Sequence, residues 1–123
     1  MNKKGPVKLN SREVARSIAQ SAYDVKAVEL VVLDLRKLSS FTDFFVIASG
    51  HSDRQVQAIC DRIEKNLGLK KSTLIGIEGY PQGHWILMDY GSVVAHIFYE
   101  EVRVHYGLES LWAEAPRVKF RLQ

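Results

Sequence analysis

The stretch GHWILMDYGSVVAHIFYE, Gly83 to Glu100, reads as two strands around a tight turn. Gly91-Ser92 suits a two-residue hairpin turn of the Gly-X kind. That register sets Tyr90 against Val93, Met88 against Ala95 and Ile86 against Ile97. One face is therefore apolar apart from a phenol. The other face sets Asp89 against Val94, Leu87 against His96 and Trp85 against Phe98. It is also mostly apolar, but carries one acid and one imidazole. A hairpin in a small antiparallel sheet commonly has one dry face and one wet one. Two apolar faces mean that both are covered, by the chain itself or by a partner.

Working outward, the sequence before the hairpin alternates between helix and strand signals. Asn10 followed by Glu13 has capping-box spacing and opens SREVARSIAQSAYD, with Val14, Ile18 and Ala22 on one stripe. AVELVVLDL and DFFVIASG are short and rich in strand formers. Ser52 with Gln55 repeats the capping-box spacing and starts DRQVQAICDRIEKNL, whose Val56, Ile59, Cys60, Ile63 and Leu67 recur at helical spacing. TLIGIEG predicts a third strand. After the hairpin, EEVRVHYGLESLW predicts a helical segment broken near Gly107. The order is α-β-β-α-β-β-β-α. This is an α/β (α+β) domain with a single mixed β-sheet of five strands. Three helices cover mainly one face of such a sheet. The domain is expected over 10–115, between a flexible N-terminal tail, 1–9, and a flexible C-terminal tail, 116–123.

Composition narrows the function classes. The chain has 123 residues, 46% of them hydrophobic and 25% charged, and a formal net charge of +3. These values suit one ordinary globular domain with a real core. No dense Lys/Arg stripe marks a nucleic-acid groove, and no direct sequence-specific nucleic-acid contact is expected. The longest apolar run is too short to span a bilayer, so no membrane association is expected. The single cysteine, Cys60, allows no internal disulfide and suits a reducing compartment. No signal peptide is visible, and a cytoplasmic location is the expectation.

Catalytic constellations are weak. His51, His84, His96 and His105 include no i, i+4 pair, and no second cysteine joins Cys60. No metal or cofactor is therefore expected. Cys60 falls on the apolar stripe of its helix, the place of a small core residue. SGHSDRQ, Ser49 to Gln55, leads from a strand into a helix and has the place of a phosphate cradle. It lacks both the Gly-rich phosphate-loop pattern with its Lys and G-x-G-x-x-G. Asp34 and Asp43 are isolated acids, not a metal-binding pair. What remains is the mixed hairpin face of Trp85, Leu87, Asp89, Val94, His96 and Phe98. Its combination of aromatic anchor and few polar groups is that of a recognition patch.

Several separate segments then align with one family. DLRKLSSFTDFFVIASGHSDRQVQAI, GIEG, WILMDYGSVVAHIF and YGLESLW resemble the ribosomal silencing factor, or Iojap-like, family, over roughly Val25 to Trp112. The resemblance implies a nucleotidyltransferase-like fold lacking the catalytic carboxylates: SGHSDRQ holds the turn position, but no D-x-D or D-x-E pair follows, and TLIGIEG offers only Glu78. It implies a non-enzymatic translation repressor. Its partner would be the large ribosomal subunit, chiefly the ribosomal protein numbered fourteen, and its effect a block on joining with the small subunit when nutrients are scarce. The family's tryptophan and aspartate carry over to Trp85 and Asp89, while Tyr90 stands where the family accepts varied apolar residues. The expected partner-binding set is Trp85, Leu87, Asp89, Tyr90 and His96. A homodimer of the free protein is a corollary of the exposed patch. The competing reading is a nucleotidyltransferase-like enzyme, or nucleotide-binding protein, using SGHSDRQ.

Overall fold

The computed structural model describes residues 8–123. Most of the expected N-terminal tail thus lies outside the described residues. Helix α1 (Ser11–Asp24) opens with the full capping box: the Asn10 side chain accepts from the Glu13 N–H, and Glu13 accepts from the Asn10 N–H. Strands β1 (Val28–Asp34) and β2 (Phe44–Gly50) follow, then α2 (Asp53–Leu69), β3 (Gly76–Glu78), β4 (Trp85–Asp89) and β5 (Val93–Tyr99). Two short helices, α3 (Glu100–Tyr106) and α4 (Leu108–Leu111), precede a two-residue strand, β6 (Arg117–Val118).

Among the described residues six strands form one mixed sheet in the order β3-β4-β5-β2-β1-β6. Only the central pair, β2 with β5, is parallel; the other neighbours are antiparallel. The parallel pair needs a long crossover, which α2 provides. The hairpin register is the one expected from the alternation, with Trp85 opposite Phe98, Leu87 opposite His96 and Asp89 opposite Val94. Gly91 takes φ 81° at the first turn position, where a side chain would be strained.

The two hydrophobic clusters lie on opposite faces. On one, Val14, Ile18 and Ala22 of α1 and Val56, Ile59, Cys60 and Ile63 of α2 pack against Ile86, Met88, Val93, Ala95 and Ile97. On the other, Leu33, Phe45, Ile47 and Phe98 pack with Val102 of α3, Leu108 of α4, and Trp112 and Ala115 beyond it. The two long helices cover one face, as expected, but the third helical segment, expected beside them, lies on the opposite face. The short pair covers part of the other, including the end of the hairpin near Trp85. The break is Gly107, which takes φ 56° and is both the C-cap of α3 and the N-cap of α4.

Residues 116–123 were expected as a flexible tail and instead belong to the fold. Arg117 and Val118 pair with Leu33 and Val32 as a sixth strand. Val118, Phe120 and Leu122 pack against the α1 side of the core, and Arg16 donates to the Arg121 carbonyl. RVKFRLQ alternates apolar with polar residues, so a two-sided strand signal was present beneath its basic charge.

Candidate functional site

The outer hairpin face starts from Trp85, at the first position of β4. Its ring lies 5.0 Å from Phe98, stacked, and 4.6 Å from Tyr106 of α3. Its Nε1–H donates to Nδ1 of His96 at 3.1 Å. His96 is 4% exposed and meets the Phe45 ring edge-on at 4.5 Å. Burial lowers its pKa to about 4. A charged imidazole would lose hydration there without gaining a partner. His96 is thus neutral at pH 7, with the proton on Nε2 because Nδ1 accepts.

Trp85 is therefore half-buried and held, rather than free on the surface. Leu87, Asp89 and Val94 are also partly exposed. They continue the same face toward the turn. On β3, Glu78 lies opposite Leu87 and Gly76 opposite Asp89, so an acid and a backbone edge flank the patch. Asp89 Oδ1 accepts from the Gly91 N–H at 2.7 Å. The acid both shapes the turn and places a charge at the margin of the apolar face.

Of the five expected partner-binding residues, the structure brings Trp85, Leu87, Asp89 and His96 onto one face. His96 supports Trp85 from below and has almost no surface of its own. Tyr90 does not join them. It is 8% exposed and packs with the α1/α2 cluster. Burial, with Glu64 and Cys60 adding to it, raises its phenol pKa. The strand period of two explains the separation: position 90 differs in parity from 85, 87 and 89.

Tyr106 and Arg103 were missed. Val102 and Tyr106 stand at i, i+4, a spacing that could have put both on one helix face. Arg103 gave no such signal, because an arginine in a short helix reads as solvated. Its side chain is nevertheless buried. Nε and Nη2 bond both carboxylate oxygens of Glu109, at 2.9 and 3.1 Å, and Nη1 donates to the Glu29 carbonyl and Ser49 Oγ. This fork ties α3 and α4 to the irregular part of β1, where Glu29 takes φ 50°. Arg103 in turn holds the Glu109 carboxyl below the usual carboxylate range.

The SGHSDRQ turn is occupied by internal bonds. Ser49 is buried and its Oγ accepts from Arg103. Ser52 Oγ caps α2 at the Gln55 N–H. The Gln55 side chain accepts from the His51 N–H and reaches the carbonyls of Val25 and Lys26, so the second expected capping box closes on one side only. Asp53 Oδ1 accepts from the Arg54 N–H, and His51 Nδ1 meets Glu100 at 2.8 Å. Among the described residues no group of three or more His, Cys, Asp or Glu is placed to hold a metal. The Cys60 thiol is buried and pushed up to about 12 by desolvation, with Asp61 and Glu64 nearby, which suits packing rather than nucleophilic attack. No helix among the described residues is long and apolar enough to cross a membrane.

Comparison with known proteins identifies the family and the fold. The family described as "Ribosomal silencing factor during starvation" matches residues 8–123. A protein named ribosomal silencing factor RsfS from Halalkalibacterium halodurans is 36% identical over 111 residues, covering 90% of this chain and 95% of that one. The maize protein named Iojap, chloroplastic, is 32% identical over 85% of this chain and 46% of its own length. A crystal structure of a Chromobacterium violaceum protein superposes with TM-score 0.84 at 30% identity, covering 94% of this chain and 95% of that one. A crystal structure from Bacillus halodurans gives TM-score 0.79 at 36% identity, covering 89% and 99%. The match runs from Lys8 to the last residue and includes the strand that closes the sheet, so this chain belongs to the ribosomal silencing factor family.

Proposed function

We propose that this chain represses translation without catalysis: it binds the large ribosomal subunit at the ribosomal protein numbered fourteen and sterically blocks joining with the small subunit in nutrient limitation. The observation that carries the reading is the half-covered outer face. Helices α3 and α4 pack over its Phe98 end, while Trp85, Leu87, Asp89 and Val94 remain partly open beside them. A fixed aromatic with aliphatic neighbours and one acid at the margin is the composition of a protein-docking hot spot. Trp85 and Leu87 supply burial, and Asp89 pairs with a cation of the partner. Free protein covers the same face with a second copy. The test is sucrose-gradient sedimentation of purified subunits with the protein added. Comigration with the large subunit alone and loss of joined ribosomes are expected; joining that proceeds unchanged would refute the reading.

The enzyme alternative draws on the turn at the start of α2. Nucleotidyl transfer needs carboxylates that hold metal against a triphosphate. Here Ser49, Ser52 and Asp53 are already engaged in internal bonds. A thermal-shift series with nucleoside triphosphates and magnesium or manganese tests this directly, since a ligand of the folded state raises Tm. No shift is expected. A shift that disappears in Asp53→Asn, together with product formation, would revive the enzyme.

A further inference from the structure

A concave surface lies near the turn of the hairpin, away from Trp85, and its lining includes none of Trp85, Leu87, Asp89 and Val94. It has a volume of about 550 Å³, with an apolar floor that includes Val14 and Tyr90. Three lysines, Lys8, Lys70 and Lys71, line it together with the hydroxyl residues Ser72, Thr73 and Ser92, and no carboxylate does. The lysines are exposed. Lys70 is the C-cap of α2, and Lys71 follows at φ 61°. A cation at a helix C-terminus has an ordinary role, since it offsets the macrodipole. That dipole amounts to only about half an elementary charge. Three ammonium groups exceed it several-fold, so a positive field remains in the trough. Glu78 and Asp89 face the other side of the sheet by strand parity. Glu64 of α2 acts on Tyr90, but it does not line the trough, and one carboxylate leaves the three lysines in excess.

We propose that this trough takes the phosphodiester backbone of RNA. Lysine ammonium groups and hydroxyl donors around a concavity without carboxylates match phosphate oxygens, and nothing in the lining would read a base. Contacts of this kind position a protein without selecting sequence. The context, though not the chemistry, rests on the proposed ribosome binding: a ribosomal subunit exposes RNA as well as protein, so one face of the hairpin docks on protein while the trough holds RNA beside it.

The experiment measures large-subunit affinity by sedimentation across a salt series, for wild type, the double variant Lys70→Gln/Lys71→Asn, and Lys70→Arg/Lys71→Arg. Asn at position 71 tolerates the left-handed backbone. Removing two phosphate contacts should lower the slope of log K against log salt by about 1.5 and weaken binding about tenfold at low salt. The double-arginine variant should restore both. A photo-crosslinker at Thr73 should attach to ribosomal RNA. An unchanged slope, or a crosslink to an acidic segment of a ribosomal protein, overturns the proposal. If wild type fails to bind subunits at all, the ribosome reading fails instead. A short RNA duplex followed by fluorescence anisotropy then decides the trough by itself: binding lost in the double variant sustains it, and no binding by wild type overturns it.

Discussion

Trp85 and His96 are diagonal neighbours on adjacent antiparallel strands, and the indole N–H of one donates to Nδ1 of the other at 3.1 Å. Two consequences follow from that single bond. The only polar group of the Trp85 ring is satisfied internally, so the indole presents hydrocarbon to a partner. The imidazole must keep Nδ1 unprotonated, which couples the docking anchor to the charge state of a buried base.

Stability should therefore fall as acid is added. His96 has a folded-state pKa of about 4 against 6.5 for the free group. Between those values the unfolded chain binds a proton that the folded chain does not. The contribution is present in full above pH 6.5 and is lost as pH falls through the folded pKa. The full window is worth on the order of 3 kcal/mol. Urea denaturation at pH 7.5 and pH 4.5 should show a drop in wild type and a smaller one in His96→Phe. Equal drops in both proteins would place the acid sensitivity elsewhere.

Trp85→Ala should separate two effects. Binding to large subunits should weaken by about 2 kcal/mol or more, as for an interface anchor. The ring also packs on Phe98 and Tyr106, so the domain should lose on the order of 2 kcal/mol of stability while remaining folded. Co-sedimentation and a denaturation curve on the same preparation read both. A fully folded variant with unchanged binding would remove Trp85 from the docking face.

Asp89 serves the turn as well as the surface, so its charge must be tested without breaking the turn. Asp89→Asn keeps an oxygen for the Gly91 N–H, whereas Asp89→Lys removes it. The Asn variant should keep wild-type stability, bind more weakly, and depend less on ionic strength. The Lys variant should lose about 1 kcal/mol of stability besides. Affinity of the Asn variant matching wild type at every salt concentration would show that the carboxylate meets no cation.

Tyr90→Phe should leave subunit binding unchanged. Its hydroxyl is buried with no hydrogen-bond partner among the described residues, on the face opposite Trp85. Stability should stay the same or rise slightly, because a poorly satisfied polar group is removed without loss of volume. A binding defect with an intact melting curve would give the hydroxyl a contact, on the docking face or in the lysine-lined trough whose floor includes Tyr90.

Arg103→Met should be among the most damaging single changes. The guanidinium is buried and joins α4, β1 and β2 through Glu109, the Glu29 carbonyl and Ser49. Removing one partner of such a pair strands the other, at about 3 kcal/mol or more. Hydrogen exchange should rise first in α3 and α4, exposing Phe45 and Phe98. Uniform protection across the chain in the variant would show that the clamp is dispensable.

Much of this protein is legible in its chain. The alternation from Trp85 to Phe98 determines the hairpin register residue by residue, because a slip of one position would exchange the two faces. The helical spacing of Val56, Ile59, Cys60 and Ile63 determines which face of α2 is buried. The family motifs come through for the same reason: they are local in sequence. Tertiary structure decided the rest. Arg103 becomes a core clamp only because α3 folds over the bulge of β1, some 74 residues earlier in the chain. The basic end RVKFRLQ becomes a strand only because β1 offers it an unpaired edge. Trp85 is half-buried rather than open because two short helices, too short to hold their shape alone, gain stability by packing against it. Local pattern carries periodicity and caps; which residue meets which across the sheet depends on long-range closure, and that is where the extent of the docking face was set.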